Sequence, residues 1–460
     1  MAGTETLQSS LAGELVTPGA AKYESARRLW NGMIDKRPAF IVRCREVADV
    51  VAAVNFARDG QFRLAVRGGG HNVAGTASAD DGVVVDLSNM RSVSVDPDSK
   101  TARAQGGATI GDLDAATQAH GLATSMGVVS RTGVAGLTLN GGIGWLRRKH
   151  GMSCDNLISV EMVTADGRVL KADEATNPEL LWAVKGGGGN FGVVTTFEYR
   201  LHRVDPTVFL FLIFYPFESA GKVLTSFRDY MQDAPDDVSP VAFIGSVPEA
   251  EPFPAEAQGK RCVVMGGVHC NDLEEGERLF APLRTIAEPI IDMSGPMPYV
   301  EVQKLFDEDY PEGDRYYWKS LKLPALTGEV IELLLEHGAS APSPRSTIDV
   351  WYHGGAMGRV GPDATAYGDR SAPILIAPEA NWDDPADDRA NLAWSRGLLA
   401  DLERFGDGSV YLNFPGFLDE SENLARIAYG ANYARLVEIK NSYDPRNLFR
   451  SNLNIKPMAG

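Results

Sequence analysis

Hydrophobic and polar residues alternate in two rhythms along the first third of the chain. EVADVVAAVNFARDG, residues 46–60, carries apolar side chains at helical spacing and closes on Gly60, which predicts an amphipathic helix with a glycine stop. RLAVRGGG, 63–70, and GVVVDLSNM, 82–90, are short apolar runs ending in turn residues and predict strands. LISVEMVTADGRVLKA, 157–172, predicts a hairpin turned at Asp166-Gly167, and KGGGGNFGVVTTFEYRL, 185–201, predicts a turn running into an alternating strand. No fixed-period repeat is present.

From about Pro206 the glycine clusters stop and longer strand-like and helix-like segments alternate, which predicts a domain boundary. VFLFLIFYPF, 208–217, reads as a buried strand and is too short to span a bilayer. In STIDVWYHGGAMG, 346–358, a period of two puts Asp349, Trp351 and His353 on one face and Ile348, Val350 and Tyr352 on the other. The polar and aromatic face suits the roof of a pocket, or else a surface meeting solvent or a helix. The stretch NLARIAYGANYARLVEIKNSYDPRNLFRSNLNI, 423–455, predicts one long amphipathic helix stopped by Pro445 and followed by a short polar strand or loop.

Composition narrows the class. With 460 residues, 44% hydrophobic and 23% charged, the chain is an ordinary globular protein of two or three folded units. A net charge of -17 argues against a nucleic-acid surface, which needs clustered Lys and Arg. Cys44, Cys154, Cys262 and Cys270 lie far apart with no CxxC pair, so no metal site or disulfide framework is expected, and a reducing, cytoplasmic setting fits. The first twenty residues lack a basic region followed by an apolar core, so neither a signal peptide nor a membrane segment is expected.

The candidate chemistry lies in three glycine clusters, at 68–75, 133–144 and 186–192. Glycine lets a backbone N–H approach a ligand closely, so clusters at strand ends are candidate phosphate cradles, although plain turns are commoner. None fits GxxxxGK[ST], and GGGHNVAG lacks the Rossmann spacing. His71, directly after the first cluster, either caps a turn or reaches a ligand held by the glycines.

RGGGHN at 67–72, GVAGLTLNGGIGWLRRKHGMSCDNL at 133–157, VTADGRV, LLWAVKGGGGNFGVVT, YLNF at 411–414 and the closing YARLVEIKNSYDPRNLFRSNLNI match one family in order and spacing. The chain resembles FAD-linked oxidases of the vanillyl-alcohol oxidase type, in the berberine-bridge-enzyme-like branch. The resemblance implies an α+β fold: a discontinuous FAD domain, 1–206 and 415–460, around a substrate domain, 207–414, built on an antiparallel sheet covered by helices. It implies a single covalent 8α-histidyl link from FAD to His71. Further FAD contacts are implied for Arg67, Gly68, Gly69, Gly70, Asn72 and Gly75, and for Val129, Thr132, Gly133, Gly136, Asn140, Gly141, Gly142 and Gly144. Gly192, Val193, Val194, Asn452 and Asn454 complete that set. Asp444-Pro445, Phe449 and Arg450 match as helix stop, packing and polar contact.

Many relatives carry a second link from a cysteine, and gap-free alignment puts Val129 there, so one link is expected; Cys154 lies beyond and suits a small buried hydrophobe. Three places after Val129, Thr132 falls at the family's oxygen gate, where a β-branched residue implies access for O₂; it could instead only stabilise the turn before Gly133.

A flavin site that removes hydride often needs a base for the accompanying proton. His353 is the leading candidate, with Asp349 as partner or substrate anchor and Trp351 as a stacking wall. Tyr411 and Asn413 match the family's YxNY motif, but Phe414 replaces its last tyrosine, and the glutamate base of alkaloid-forming relatives would fall near Ile376. Tyr316, Tyr317 and Trp318 are candidates for the pocket or for core. The expected reaction is hydride transfer from a small alcohol, amine or secondary-metabolite carbon to FAD, with O₂ reduced to H₂O₂. The alternatives are a dehydrogenase with another acceptor and a flavin-binding protein without turnover. Substrate identity and oligomeric state depend on loop and surface geometry that the pattern does not encode.

Overall fold

The helix expected after residue 46 runs Val47–Asp59 and buries Val50, Ala53, Val54 and Ala57; a Glu46–Asp49 capping box opens it and Gly60 closes it. In the computed structural model, which describes residues 2–418 and 423–458, this helix packs on a four-stranded sheet in the order Glu14–Val16, Phe40–Arg43, Val83–Asp86, Leu64–Arg67. The last three strands are parallel, and all four residues of Val83–Asp86 are buried, as a central parallel strand requires. A second, antiparallel sheet runs Val93–Asp96, Thr101–Gln105, Val193–Arg200, Leu157–Val163, Val169–Ala172, and its last two strands are the expected hairpin.

The middle of the chain builds a nine-stranded antiparallel sheet. Its central run is Thr207–Pro216, Arg261–His269, Val241–Ser246, Thr347–Tyr352, Ile374–Trp382 and Arg315–Trp318. One face, carrying Ile213, Tyr215, Ile244, Val263, Ile348, Val350, Tyr352 and Ile376, packs under helices Ala220–Asp233, Leu273–Arg284, Gly328–Ala339 and Asp388–Leu402. The other face meets the first part of the chain, so Thr207–Pro216 is buried at nearly every position and shows no alternation of exposure.

The single long C-terminal helix is not formed. The segment divides into Leu424–Tyr429, a short 3-10 turn at Gly430–Asn432 and Tyr433–Tyr443, and the break falls at Gly430, whose φ of +49° interrupts the helical path. The stop at Asp444-Pro445 is as expected. Beyond it the chain folds back on the first part: Lys440 Nζ donates to the Asn190 and Phe449 carbonyls and to Asp444 Oδ2, and Asn190 bonds both Leu453 O and Ile455 N. No helix among the described residues is long and apolar enough to cross a membrane.

Candidate active site

The first two glycine clusters meet at one point. A Cβ on Gly69 would lie 2.5 Å from Gly133 N, so two backbones touch there and any side chain would force them apart. Gly70, at φ +69°, then turns the chain so that His71 faces a cavity of about 600 Å³. Gly68, Gly69, Gly70, His71, Asn72, Val129, Thr132, Gly133, Gly136 and Asn140 line that side. The 129–132 wall is pinned by a residue far along the chain, because Asp307 accepts from Ser130 N at 2.8 Å and from Ser130 Oγ at 2.5 Å.

The roof is the face of the nine-stranded sheet turned away from the helices. Asp349 pairs with Phe243 on one side and Ala377 on the other, and Thr347 and Trp318 both pair with Glu379, so cross-strand partners share one face. Phe214, Phe243, Trp318, Thr347, Asp349, Trp351, Glu379 and Asn381 all reach the cavity. The period of two thus holds for Asp349 and Trp351 against Ile348, Val350 and Tyr352.

It fails for His353. The strand ends at Tyr352, and His353 leaves the roof, with its N–H bonded to Pro373 O and its carbonyl accepting from Arg148. His353 is 1% exposed, does not line the cavity, and is held neutral by burial and by the nearby Lys322, Arg147 and Arg370 charges. It therefore cannot reach a substrate in this cavity, which corrects the expectation of a histidine base. Ile376 faces the helices, so the acidic residue of its strand that does reach the cavity is Glu379.

Glu379 is the residue that sequence reasoning missed. Its signal was present in ILIAPEANW, where Glu379 and Asn381 sit two apart in an otherwise apolar strand. Burial raises the carboxyl pKa of both Asp349 and Glu379, and the Asp349 charge raises Glu379 further. Asp349 Oδ1 accepts from Thr347 Oγ1 at 2.8 Å and Oδ2 from Trp351 Nε1 at 3.3 Å, bonds that favour its anion. Glu379 accepts from Tyr310 Oη at 2.9 Å. Asp349 therefore ionises first while Glu379 keeps its proton.

Tyr411 and Asn413 stand together at the floor. Tyr411 Oη accepts from Ile143 N at 3.1 Å and from Asn413 Nδ2 at 2.9 Å, and burial pushes its pKa up to about 12. Phe414 and Trp318 add apolar walls, Tyr316 stacks outside the cavity on Trp30, and Tyr317 belongs to the helix-covered core.

The other expected contacts lie behind the cavity wall. Arg67 is buried beside Asp86 and donates to Ala26 O. Gly75, Gly141, Gly142, Gly144 and Gly192 are packed against protein atoms, Val193 and Val194 are core, and Asn452 lies near Gly189 in the third glycine cluster. All four cysteines are buried and none lines the cavity.

The residues present fit FAD. His71 Nε2 is a buried polar atom without a protein partner on a wall shared with Gly70 and Gly136, where an added Cβ would clash with no protein atom, and Arg67 Nε and Nη2, Asn452 Oδ1 and Asn454 Oδ1 are further buried polar atoms without a partner. Burial also keeps His71 neutral, its pKa pushed down to about 3, so a ring nitrogen lone pair is free to form a bond.

Comparisons agree with this geometry. Residues 38–173 match the FAD binding domain family, and 410–456 match the berberine and berberine-like family. An FAD-linked oxidoreductase of Dictyostelium discoideum is 31% identical over 98% of this chain and 96% of its own length. The (R)-6-hydroxynicotine oxidase of Paenarthrobacter nicotinovorans is 32% identical over 97% of each chain. The crystal structure of 6-hydroxy-D-nicotine oxidase from Arthrobacter nicotinovorans superposes with a TM-score of 0.86, at 30% identity over 97% of this chain and 98% of that one.

Proposed function

We propose a function from one premise: this chain belongs to the FAD-linked oxidoreductases of the berberine-bridge-like family. It is an oxidase that takes hydride from a small amine, alcohol or secondary-metabolite carbon and passes the electrons to O₂, giving H₂O₂. The domains divide as 1–206 with 415–460 around the cofactor and 207–414 around the substrate. FAD, when bound, supplies the hydride acceptor. Arg67, Asn452 and Asn454 would hold its polar groups, and His71 would carry it by a single covalent link, since Val129 and Thr132, not a cysteine, occupy the wall beside it.

The observation that carries the reading is the carboxyl pair facing His71 across one cavity. Asp349, the more acidic partner, accepts the proton of the substrate N–H or O–H, while Glu379 stays neutral and donates a hydrogen bond. Trp318, Trp351, Phe243 and Phe414 hold an apolar body and exclude water. Among the described residues the cavity is lined by five carboxyl groups; Glu379 stays neutral and Glu308 pairs with Arg131, which leaves Glu249, Asp309 and Asp349 beside one arginine, Arg345, itself paired with Asp314 and Asp383. This charge balance favours an amine over a neutral alcohol of the same shape. The relative named for 6-hydroxynicotine supports the same choice.

The test is a set of aromatic and alicyclic amines beside their alcohol isosteres, followed anaerobically for flavin bleaching and aerobically for H₂O₂. Bleaching by amines with stoichiometric H₂O₂ is expected. Bleaching without H₂O₂ would replace the oxidase with a dehydrogenase, and a set that bleaches only with alcohols would overturn the amine choice.

A further inference from the structure

We infer that Trp30 is the positioning residue that fixes the plane of the His71 ring, and that it makes covalent attachment of FAD depend on the docked substrate sheet. The inference rests on His71 being the attachment residue. Trp30 lies between two rings: its centroid is 4.0 Å from His71 at 16° and 3.7 Å from Tyr316 at 12°. The three form one stack from the glycine turn to the strand Arg315–Trp318 at the edge of the substrate sheet. His71 Nε2 has no hydrogen-bond partner in the protein, and beside the ring's hydrogen bond with its own backbone the stack is what restrains the ring plane.

The segment carrying Trp30 is tied to the substrate domain. Trp30 Nε1 donates to Tyr310 O at 2.9 Å, Gly313 N donates to Trp30 O at 2.9 Å, and Gly32 N donates to Asp314 O at 2.7 Å. Asn31 Nδ2 donates to Tyr316 O at 2.9 Å and to Val73 O at 2.7 Å, joining the sheet edge to the loop just after His71. Asn31 Oδ1 accepts from Tyr316 N at 3.2 Å. Residues far apart in sequence therefore converge on one ring that does not itself line the cavity.

Attachment forms a bond from a His71 ring nitrogen to the 8α carbon and breaks one C–H bond of that methyl group. Two electrons and two protons, one from the methyl and one from the imidazole, pass to the isoalloxazine, and dioxygen removes them as H₂O₂. The ring nitrogen would have to be held within bonding reach of the methyl carbon, and misplacement by about 1 Å costs on the order of 10²-fold in such a step. Trp30 touches neither reacting atom and acts only through the His71 ring.

Full-length protein made under riboflavin limitation, then given FAD, reports attachment as flavin fluorescence on a denaturing gel, while quenching of free FAD reports binding. Trp30→Ala and Asn31→Ala should bind FAD with little change yet attach it at least tenfold more slowly. Trp30→Phe should recover most of the rate, and Trp30→Leu, without a ring, should not. Attachment by Trp30→Ala at the parental rate, or equal rates for the Phe and Leu variants where the Ala variant fails to fold, would overturn the inference. His71→Ala tests the underlying reading separately: covalent flavin in that variant would move the link elsewhere, whatever Trp30 does.

Discussion

Asp349 receives hydrogen bonds from Thr347 and Trp351 on its own strand, whereas Glu379 receives one from Tyr310 and feels the Asp349 charge. On the proposed function, that asymmetry would divide the labour of two like groups in one roof. Asp349→Asn should slow anaerobic flavin reduction by ~10²–10⁴-fold, the range for loss of a general base. In the parent enzyme the reduction rate should rise with pH above the ordinary carboxylate range, as Asp349 ionises. Glu379→Gln should keep that limb, because Gln preserves the neutral form. A flat profile in the parent, measured by stopped-flow reduction, would remove Asp349 from the role. Thr132→Leu enlarges a side chain in the cavity wall and should slow reoxidation by O₂ severalfold while sparing reduction, as separate half-reactions would record. The sequence indicated Asp349 and Trp351 because alternation is local; it did not separate them from His353, since nothing local marks where a strand leaves a pocket.

The glycine turns act as paired elements. The close approach of Gly69 to Gly133 holds the first cluster against the second, and Asp307 holds the 129–132 wall through Ser130. Gly69→Ala should cost ~1–3 kcal/mol by overpacking and lower FAD retention, read from denaturant midpoints and flavin content. Asp307→Ala removes the acceptor of two buried bonds and should cost a similar ~1–3 kcal/mol. The glycine clusters were plain in the sequence, but which of their members face a cavity was not. Gly141, Gly142 and Gly144 belong to the same run as Gly133 and Gly136, yet they pack on Met152, Ser153 and Met126. The C-terminal helix failed for a related reason: apolar periodicity continues through Gly430, but the backbone turns there.

At the scale of the whole molecule, Asp114 links the first part of the chain to Gln303, just after the helix that follows the strand Gly295–Pro298. It is buried on the helix Ile110–Gln118 and accepts from Gln303 Nε2 at 2.8 Å. Burial pushes its pKa up to about 7, against about 3.9 in an unfolded chain. A raised carboxyl pKa gives stability that is complete below the unfolded value and lost as pH rises through the folded one. Asp114→Asn keeps a neutral acceptor for Gln303, so its stability relative to the parent should grow between about pH 4 and 7, by up to about 1.4 kcal/mol for each pH step of one, and level off above. Thermal midpoints at pH 5 and 8 test the sign. The sequence by itself determined the helices and strands whose period was local, the glycine turns, the stop at Pro445 and, by resemblance, the FAD-binding family. Tertiary structure alone decided that Glu379 faces Asp349, that His353 is sealed beside Arg147 and Lys322, and that Trp30 lies on His71. A side chain's face follows from the backbone period of its own strand, but its partners come from strands and loops far away in sequence, and only cross-strand register and domain docking bring them together.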